Sequence, residues 1–173
     1  DAVEERQAED LGIAALAAGA TRDGVRSALR AFATLPHRVA LVGEAMGVQY
    51  FDDSKATNPH AALHAIRGFD SVVLLAGGRN KDLDLSVLSS ASSRIRAVVA
   101  FGEAAAEVEK VFAGARPVMH ADSMRAAVRA GADYAQPGDV VLLSPACASW
   151  DWYEGGYQAR GGDFAADITS LMA

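Results

Sequence analysis

The pattern of apolar and polar positions changes its period once along the chain, near residue 36. Before that point, apolar residues recur at helix-compatible spacing over residues 9–33, with an interruption at residues 19–21. This pattern predicts two short helices packed as a hairpin, the second capped at its amino end by Thr21. Leu35 and Pro36 then end the helical pattern, because proline disfavours helical geometry in the preceding residue and has no amide to donate.

Beyond residue 36, short β-prone runs alternate with helical stretches. Strands predicted at residues 38–43 and 47–52, with the turn-sized segment 44–46 between them, indicate a hairpin. The later runs are mostly continuous and apolar, as expected of strands that are buried on both faces. These strands are predicted at residues 71–76, 95–101, 116–120 and 139–144. Helices are predicted at residues 59–67, 85–94, 103–112, 123–135 and 163–172.

This order of elements predicts an α/β fold. We expect a Rossmann-like, mainly parallel, doubly wound sheet with an N-terminal β-hairpin, preceded by a short helical segment. The predicted boundary divides the chain into a helical segment, residues 1–36, and an α/β domain, residues 37–173. Ligands of such sheets bind at the carboxyl ends of the strands. Polar residues that directly follow a strand are therefore the candidates for chemistry.

Composition and charge narrow the classes of function. The formal charge is −6, from 16 Lys and Arg against 22 Asp and Glu, which leaves no electrostatic footprint for nucleic acid or an anionic membrane. The single cysteine excludes an internal disulfide and fits a reducing compartment, so the cytoplasm is expected. No apolar run approaches the length of a membrane span, and the first residues lack the features of a signal peptide.

The first candidate cluster occupies residues 52–59, after the second predicted strand. Two carboxylates, a lysine and short hydroxyl side chains before a helix amino terminus could hold anions and the hydroxyls of a nucleotide. The alternative is structural: Thr57 or Asn58 caps the helix, and Pro59 occupies its first turn. The residues alone leave both interpretations open.

The second candidate cluster is the Gly77-Gly78 pair with Lys81. Paired glycines allow close backbone approach to a ligand, and a lysine can supply charge to a carboxylate or phosphate. The alternative is an ordinary turn. The spacing is not that of a phosphate-binding P-loop.

The third candidate cluster runs from residue 144 to residue 151 and continues to residue 163. Small residues permit close approach, and Ser149 could bind a carboxylate. Cys147 is better explained as a small buried packing residue than as a nucleophile, because no motif places a histidine opposite it. His60 and His64 share one face of a predicted helix but lack an identifiable third ligand, so no metal site is assigned.

Taken together, these motifs resemble the Mur ligase family over nearly the whole chain. The strings that carry the resemblance are Leu-Pro-His-Arg at residues 35–38, Asp-Ser-Lys-Ala-Thr-Asn at 53–58, Gly77-Gly78 with Lys81, Ser-Pro-Ala-Cys-Ala-Ser at 144–149, and Arg160-Gly161. The string at residues 53–58 resembles the members that add D-glutamate. The resemblance implies an ATP- and Mg²⁺-dependent ligase that joins D-glutamate to UDP-N-acetylmuramoyl-L-alanine through an acyl phosphate, in peptidoglycan precursor synthesis.

The resemblance also implies a division of labour. Residues 1–36 would be the end of a central ATP-binding domain, and residues 37–173 the C-terminal amino-acid-binding domain. D-Glutamate would be bound by Thr57, Lys81, Ser149 and Tyr157. The nucleotide would be contacted by Arg38, Asp53 and Lys55. Because these residues include no P-loop, ATP and Mg²⁺ would be bound mainly by the central domain, and this segment alone is expected to be inactive.

Two other interpretations stay open at this point. One is a stand-alone Rossmann-like domain that binds a small anionic metabolite, which predicts useful affinity without partner domains. The other is a folylpolyglutamate-synthase-like ligase domain, which a preference for L-glutamate over D-glutamate would favour.

Overall fold

A computed structural model describes residues 12–30 and 35–172, and the chain divides into two compact units between Pro36 and His37. In the first unit, helical residues 12–17 (α1) and the helix Arg22–Arg30 (α2) flank a break at residues 18–21. The Gly24 amide donates to Thr21 Oγ1 at 3.1 Å, which confirms the predicted cap. The remaining parts of the predicted helices, residues 9–11 and 31–33, lie outside the described residues.

The second unit is built on a mostly parallel sheet, as the alternation of elements predicted. Its described strands are β1 Ala40–Ala45, β2 Val48–Asp52, β3 Val72–Gly77, β4 Ile95–Phe101, β5 Val118–Ala121 and β6 Val140–Ala146. They lie in the order β1-β2-β6-β3-β4-β5. β1 pairs with β2 antiparallel, and the other pairs are parallel. The fold class is therefore the predicted Rossmann-like α/β, with its N-terminal hairpin.

Helices cover the sheet in two groups, which explains the apolar strands. The helices are α3 Pro59–Arg67, the 3₁₀ helix Leu85–Arg94, α4 Ala105–Phe112, α5 Met124–Tyr134 and α6 Gly156–Met172. α3 and α4 contact the 3₁₀ helix, whereas α5 and α6 contact each other. Every residue of β3 and β6 is buried between these groups. None of the helices in the described residues has both the length and the apolar character that a bilayer crossing requires.

Two local features differ from the sequence-based prediction. The hairpin turn is Met46-Gly47 rather than residues 44–46, because both turn residues adopt positive φ, 54° and 76°, as a tight turn between twisted strands requires. The stretch Leu85–Arg94 is helical as predicted, but it is a 3₁₀ helix. Hydroxyls of Ser89, Ser90 and Ser92 donate to carbonyls three residues earlier, so they compete with the α-helical pattern.

α6 also begins earlier than predicted, at Gly156 rather than Asp163. The helix contains glycines at residues 161 and 162, although glycine weakens a helix. In the structure, a side chain at Gly161 would collide with those of His37, Asp52 and Ser54. The glycine therefore lets α6 pack directly on the loop that follows β2, and this packing outweighs its low helix propensity.

Gly77 ends β3 in a conformation that only glycine accepts at that place. Its φ is 143°, and an added Cβ would overlap the Phe101 carbonyl of the neighbouring strand. Gly138 also has a positive φ, 94°, but no described atom lies within 4 Å of its Cβ position. A substitution at Gly77 would therefore cause both backbone strain and steric overlap, whereas a substitution at Gly138 would cause backbone strain alone.

We predict that Gly77→Ala lowers the free energy of unfolding by more than about 3 kcal/mol, because strain and overlap add. Gly138→Ala should lower it by only about 1 kcal/mol, from strain alone. Denaturant titrations of both variants and the wild type measure the difference. Equal losses in the two variants would contradict the close approach of Gly77 to β4.

Candidate functional site

The three candidate clusters follow strands that are neighbours in the sheet. β6 pairs with β2 on one side and with β3 on the other, both in parallel. Because parallel neighbours end at the same edge, the loops after β2, β6 and β3 meet there. The sequence showed that each cluster follows a strand, and the strand order adds that the three strands are adjacent.

A cavity of about 290 Å³ at this edge is lined by all three loops and by α6. Its walls are formed by Thr57, Lys81, Ala148, Ser149, Trp150, Gly156, Tyr157 and Gln158. The structure thus brings together the four residues that the family resemblance associated with D-glutamate. The cavity lies at the small end of the range for small-molecule sites. A larger hollow of about 640 Å³ lies beside the hairpin turn, away from every candidate residue.

In the loop after β2, the helix cap is Asn58 and not Thr57. Asn58 Oδ1 accepts the Ala61 amide at 2.9 Å, and Pro59 is the first residue of α3. Asn58 and Pro59 therefore have the structural role that was the alternative for this cluster, as the cap and the first residue of α3. The Thr57 side chain instead lines the cavity.

Asp53 is buried and titrates near neutrality. The carboxyl is 4% exposed, and its Oδ2 accepts a hydrogen bond from Ser144 Oγ at 2.7 Å. Burial raises the pKa of Asp53 to about 7, and the neighbouring Asp52 adds to the rise, against hydrogen bonds from Ser144 and the Val39 amide. When the Asp53 carboxyl loses its proton near neutral pH, it therefore leaves a buried negative charge in the loop that follows β2.

His37, which was not among the candidate site residues, forms a polar contact with Asp52 of the first cluster. Asp52 Oδ2 lies 2.7 Å from His37 Nδ1, and Asp52 Oδ1 accepts the Ser54 amide at 2.8 Å. The His37 ring meets Tyr157 edge-on, with centroids 5.9 Å apart. The only sequence signal for His37 was its place beside Arg38 in the Leu-Pro-His-Arg string.

None of the candidate nucleotide residues forms the wall of this cavity. Lys55 Nζ lies 5.5 Å from the centroid of the Tyr157 ring, so Lys55 adjoins a cavity residue. Arg38 is exposed, and its positive charge lowers the pKa of Asp53. The residues on either side of Arg38, His37 and Val39, have positive φ of 64° and 48°.

The loop after β3 is held in place by contacts of the two residues that precede Lys81. Arg79 exchanges backbone hydrogen bonds with Ala148, at 2.8 and 3.0 Å, and its guanidinium donates twice to the Glu103 carboxylate. Asn80 Nδ2 donates to Glu107 at 2.7 Å. Gly77 and Gly78 approach the backbone of Phe101 and Ala148 rather than the cavity. The paired glycines thus serve contact between loops, and Lys81 alone of this cluster lines the cavity.

Cys147, in the loop after β6, has the properties of a packing residue. It is 1% exposed, and burial raises the pKa of its thiol to about 12. A protonated thiol is a poor nucleophile and a poor metal ligand. Within the described residues, no three His, Cys, Asp or Glu side chains are grouped so that they could hold a metal ion.

Comparison with known proteins shows the family to which the chain belongs. The family model for the glutamate ligase domain of Mur ligases matches residues 37–147. The chain belongs to the Mur ligase family. Its matched part contains the first two clusters and the start of the third, up to Cys147, and the cavity residues from Ala148 to Gln158 lie beyond its carboxyl end.

Similar Mur ligases are much longer than this chain. It is 47% identical over 161 residues to UDP-N-acetylmuramoylalanine–D-glutamate ligase of Desulfosudis oleivorans, covering 92% of the chain and 35% of that protein. The corresponding protein of Methylococcus capsulatus is 45% identical over 157 residues, covering 90% of the chain and 34% of its own length. The chain therefore spans about a third of the length of these relatives.

Solved structures share the fold at low sequence identity. UDP-N-acetylmuramate-alanine ligase of Thermotoga maritima is 13% identical with a TM-score of 0.63, covering 95% of this chain and 37% of that one. A bifunctional folylpolyglutamate synthase/dihydrofolate synthase of Yersinia pestis, solved with AMPPNP and Mn ion, is 20% identical with a TM-score of 0.58, covering 88% and 35%. These similarities support the Rossmann-like fold of this Mur ligase chain.

The raised pKa of Asp53 predicts how stability depends on pH. The folded chain binds this proton more tightly than the unfolded chain, whose carboxyl has the usual pKa of 3.8. The free energy of unfolding should therefore fall as pH rises from about 4 to about 7, by roughly 1.4 kcal/mol per pKa unit. Asp53→Asn, which resembles the protonated form, should lack this decrease.

Urea titrations of wild type and Asp53→Asn across this pH range measure the effect. Asp139→Asn is the matched control with the opposite sign. Asp139 is buried too, but hydrogen bonds from Arg96, Ser71 and the Gln136 amide outweigh burial and hold the pKa of its carboxyl below the usual value. The stabilisation that the Asp139 carboxylate gives to the folded chain should be lost as pH falls. If the free energy of unfolding changed with pH in the same way in wild type and in Asp53→Asn, the raised pKa of Asp53 would be contradicted.

Proposed function

We propose that this chain is the C-terminal part of an ATP-dependent ligase that joins D-glutamate to UDP-N-acetylmuramoyl-L-alanine in peptidoglycan precursor synthesis. Relatives that are 47% and 45% identical carry the name of that activity. The observation that carries the proposal is the cavity in which Lys81, Thr57, Ser149 and Tyr157 meet. In this proposal, residues 1–36 end a central ATP-binding domain, and residues 37–173 form the amino-acid-binding domain.

The cavity offers the groups that a dicarboxylic amino acid requires. Lys81 supplies a positive charge, and the hydroxyls of Thr57 and Ser149 can donate to carboxylate oxygens. Ser149 is 2% exposed, so a carboxylate bound there would be largely removed from water. Hydrogen bonds to a charged group are stronger in such surroundings. The cavity therefore suits a ligand with two negative charges.

The proposed reaction explains why D-glutamate needs a binding site with fixed positive charge and hydrogen-bond donors. In the proposed mechanism, the alanyl carboxylate of the acceptor takes the terminal phosphoryl group of ATP and ADP is released. The amine of D-glutamate then attacks the carbonyl carbon of the acyl phosphate and loses a proton. The tetrahedral intermediate then expels phosphate as the amide bond forms. A dianionic amino acid must be held beside a phosphorylated acceptor, so fixed cations and donors supply orientation and charge compensation. We assign that task to this domain, which would complete the site when the domains close.

Contacts with the nucleotide are proposed for Arg38, Lys55 and Asp53. Arg38 is exposed and Lys55 is half-buried, so both are accessible to an anionic ligand. Asp53 is buried and bonded to Ser144, so it also organises the loop from within. The described residues offer no cluster for a divalent cation, and Mg²⁺ is therefore proposed to lie mainly on the central domain. The proposed compartment is the cytoplasm, and the proposed partners are the protein's own central and N-terminal domains.

A ligation assay with the full-length protein tests this function. Phosphate release from ATP is measured with UDP-N-acetylmuramoyl-L-alanine and either D-glutamate or L-glutamate. We expect release that depends on the acceptor and on D-glutamate. Release with L-glutamate and a folate acceptor would favour a folylpolyglutamate-synthase-like ligase. Tight binding of a small anion by this chain alone, without ligation by the full-length protein, would favour a stand-alone binding domain.

Replacing Lys81 should weaken binding of D-glutamate in the full-length enzyme. Lys81→Ala removes a charge-assisted contact of about 1.5–3 kcal/mol, so the KM for D-glutamate should rise about 10- to 100-fold without unfolding the domain. Lys110→Ala, at an exposed position of α4, is the matched control and should leave the KM unchanged. Equal KM values for Lys81→Ala and wild type would remove Lys81 from the site.

Thr57 and the adjacent cap residue Asn58 should behave differently. Thr57→Val preserves shape but removes the hydroxyl, so the KM for D-glutamate should rise about tenfold while nucleotide affinity is spared. Asn58→Ala should lower the free energy of unfolding by about 1 kcal/mol without changing that KM. Steady-state kinetics and denaturant titrations separate the two effects. A stability loss without a KM change in Thr57→Val would make Thr57 a structural residue.

A further inference from the structure

Arg160 on α6 places a guanidinium group inside the protein, between the loops that form the cavity. The residue is 0% exposed. Its Nη2 donates to the Ser54 carbonyl at 2.9 Å and to the Cys147 carbonyl at 3.1 Å. Ser54 lies in the loop after β2, which carries Thr57, and Cys147 lies in the loop that carries Ser149. One nitrogen atom therefore connects two of the three loops.

The third loop lies against the same guanidinium. A Cβ added to Gly78 would stand 3.0 Å from Arg160 Nη1. Gly78 belongs to the loop that carries Lys81, and Arg79, the next residue, pairs with Ala148 through its backbone. The Arg160 guanidinium thus bonds to two of the loops that contribute polar groups to the cavity and lies close to the third.

Burial of the Arg160 guanidinium has a free-energy cost, so a contribution to stability alone does not explain it. A buried charge loses its hydration, and full compensation requires that its donors be satisfied. Among the described residues, Arg160 Nε and Nη1 have no hydrogen-bond partner. Burial lowers the pKa of Arg160 to about 10, which still leaves it charged at neutral pH. An apolar side chain of similar volume would fill this space with a smaller desolvation penalty.

We propose that Arg160 is a positioning residue that fixes the three loops relative to one another, so that Thr57, Ser149 and Lys81 face one cavity. The inference rests on the proposed function for its substrate and on the contacts of the guanidinium for its geometry. Arginine suits the task because its planar group presents donors in fixed directions, which lysine cannot do. Arg160 does not line the cavity, so it acts through the loops and not on the substrate.

The proposal predicts a particular set of kinetic effects. Loops that move independently would misplace the carboxylate-binding groups, and a displacement of about 1 Å can reduce catalysis about 100-fold. The KM for D-glutamate should therefore rise. The KM for ATP should rise as well, because Ser54 lies between Asp53 and Lys55. The KM for the UDP-linked acceptor should not change, since that substrate is proposed to bind another domain.

The test uses Arg160→Met and Arg160→Lys in the full-length protein, with Ile168→Ala as control. Ile168 is 0% exposed on the same helix and packs in the apolar core away from the loops. Steady-state kinetics give the three KM values, which do not depend on the fraction of folded enzyme. Hydrogen exchange of the amides of Asp53, Arg79 and Ala148 reports loop opening, because each donates to a neighbouring backbone carbonyl.

We expect both Arg160 variants to raise the KM for D-glutamate and for ATP at least tenfold and to accelerate exchange in all three loops. Ile168→Ala should lower the melting temperature but leave the KM values and loop exchange as in wild type. Unchanged exchange and KM values in a folded Arg160 variant would overturn the proposal. If Arg160→Met does not fold, Arg160→Lys, which keeps the charge, decides. If the wild type does not ligate D-glutamate, the proposed function fails, and loop exchange still decides the role of Arg160.

Discussion

The parallel pairing of β6 with both β2 and β3 is the constraint on which the site depends. Every residue of β6 is buried, and its apolar contacts hold it between its two neighbours. Because the three strands run in the same direction, the polar loops that follow them are brought to one edge. Residues 57, 81 and 149 are far apart in sequence, yet their side chains line one cavity. An edge position for β6 would separate these loops.

α6 closes this edge and explains why the loops keep their relative positions. Its first turns carry Tyr157 to the cavity and Arg160 into the space between the loops, while Gly161 allows close packing on the loop after β2. Further along, Phe164 and Ile168 anchor the same helix in the apolar core. A single helix therefore carries residues of the site and residues of the apolar core, and these two sets occupy successive turns.

Local pattern predicted much of the fold, because strands buried on both faces are continuous apolar runs. The segments Ile95–Phe101 and Pro59–Arg67 were predicted with the limits observed. The strand order was beyond the pattern, since it depends on contacts between distant residues. The start of α6 was predicted wrongly because the packing advantage of Gly161 exists only in the folded chain. Motifs indicated the cavity residues, but the burial of Arg160 and the contact of His37 with Asp52 carry no local signal.

The most direct test of the account is a crystal structure of the full-length protein with D-glutamate, a non-hydrolysable ATP analogue and the UDP-linked acceptor. D-Glutamate should lie in the cavity between the three loops, with its carboxylates within hydrogen-bond distance of Lys81, Thr57 and Ser149. Its amine should face the alanyl carboxylate of the acceptor. D-Glutamate bound elsewhere, or a cavity that stays without ligand at saturating concentration, would contradict the central claim.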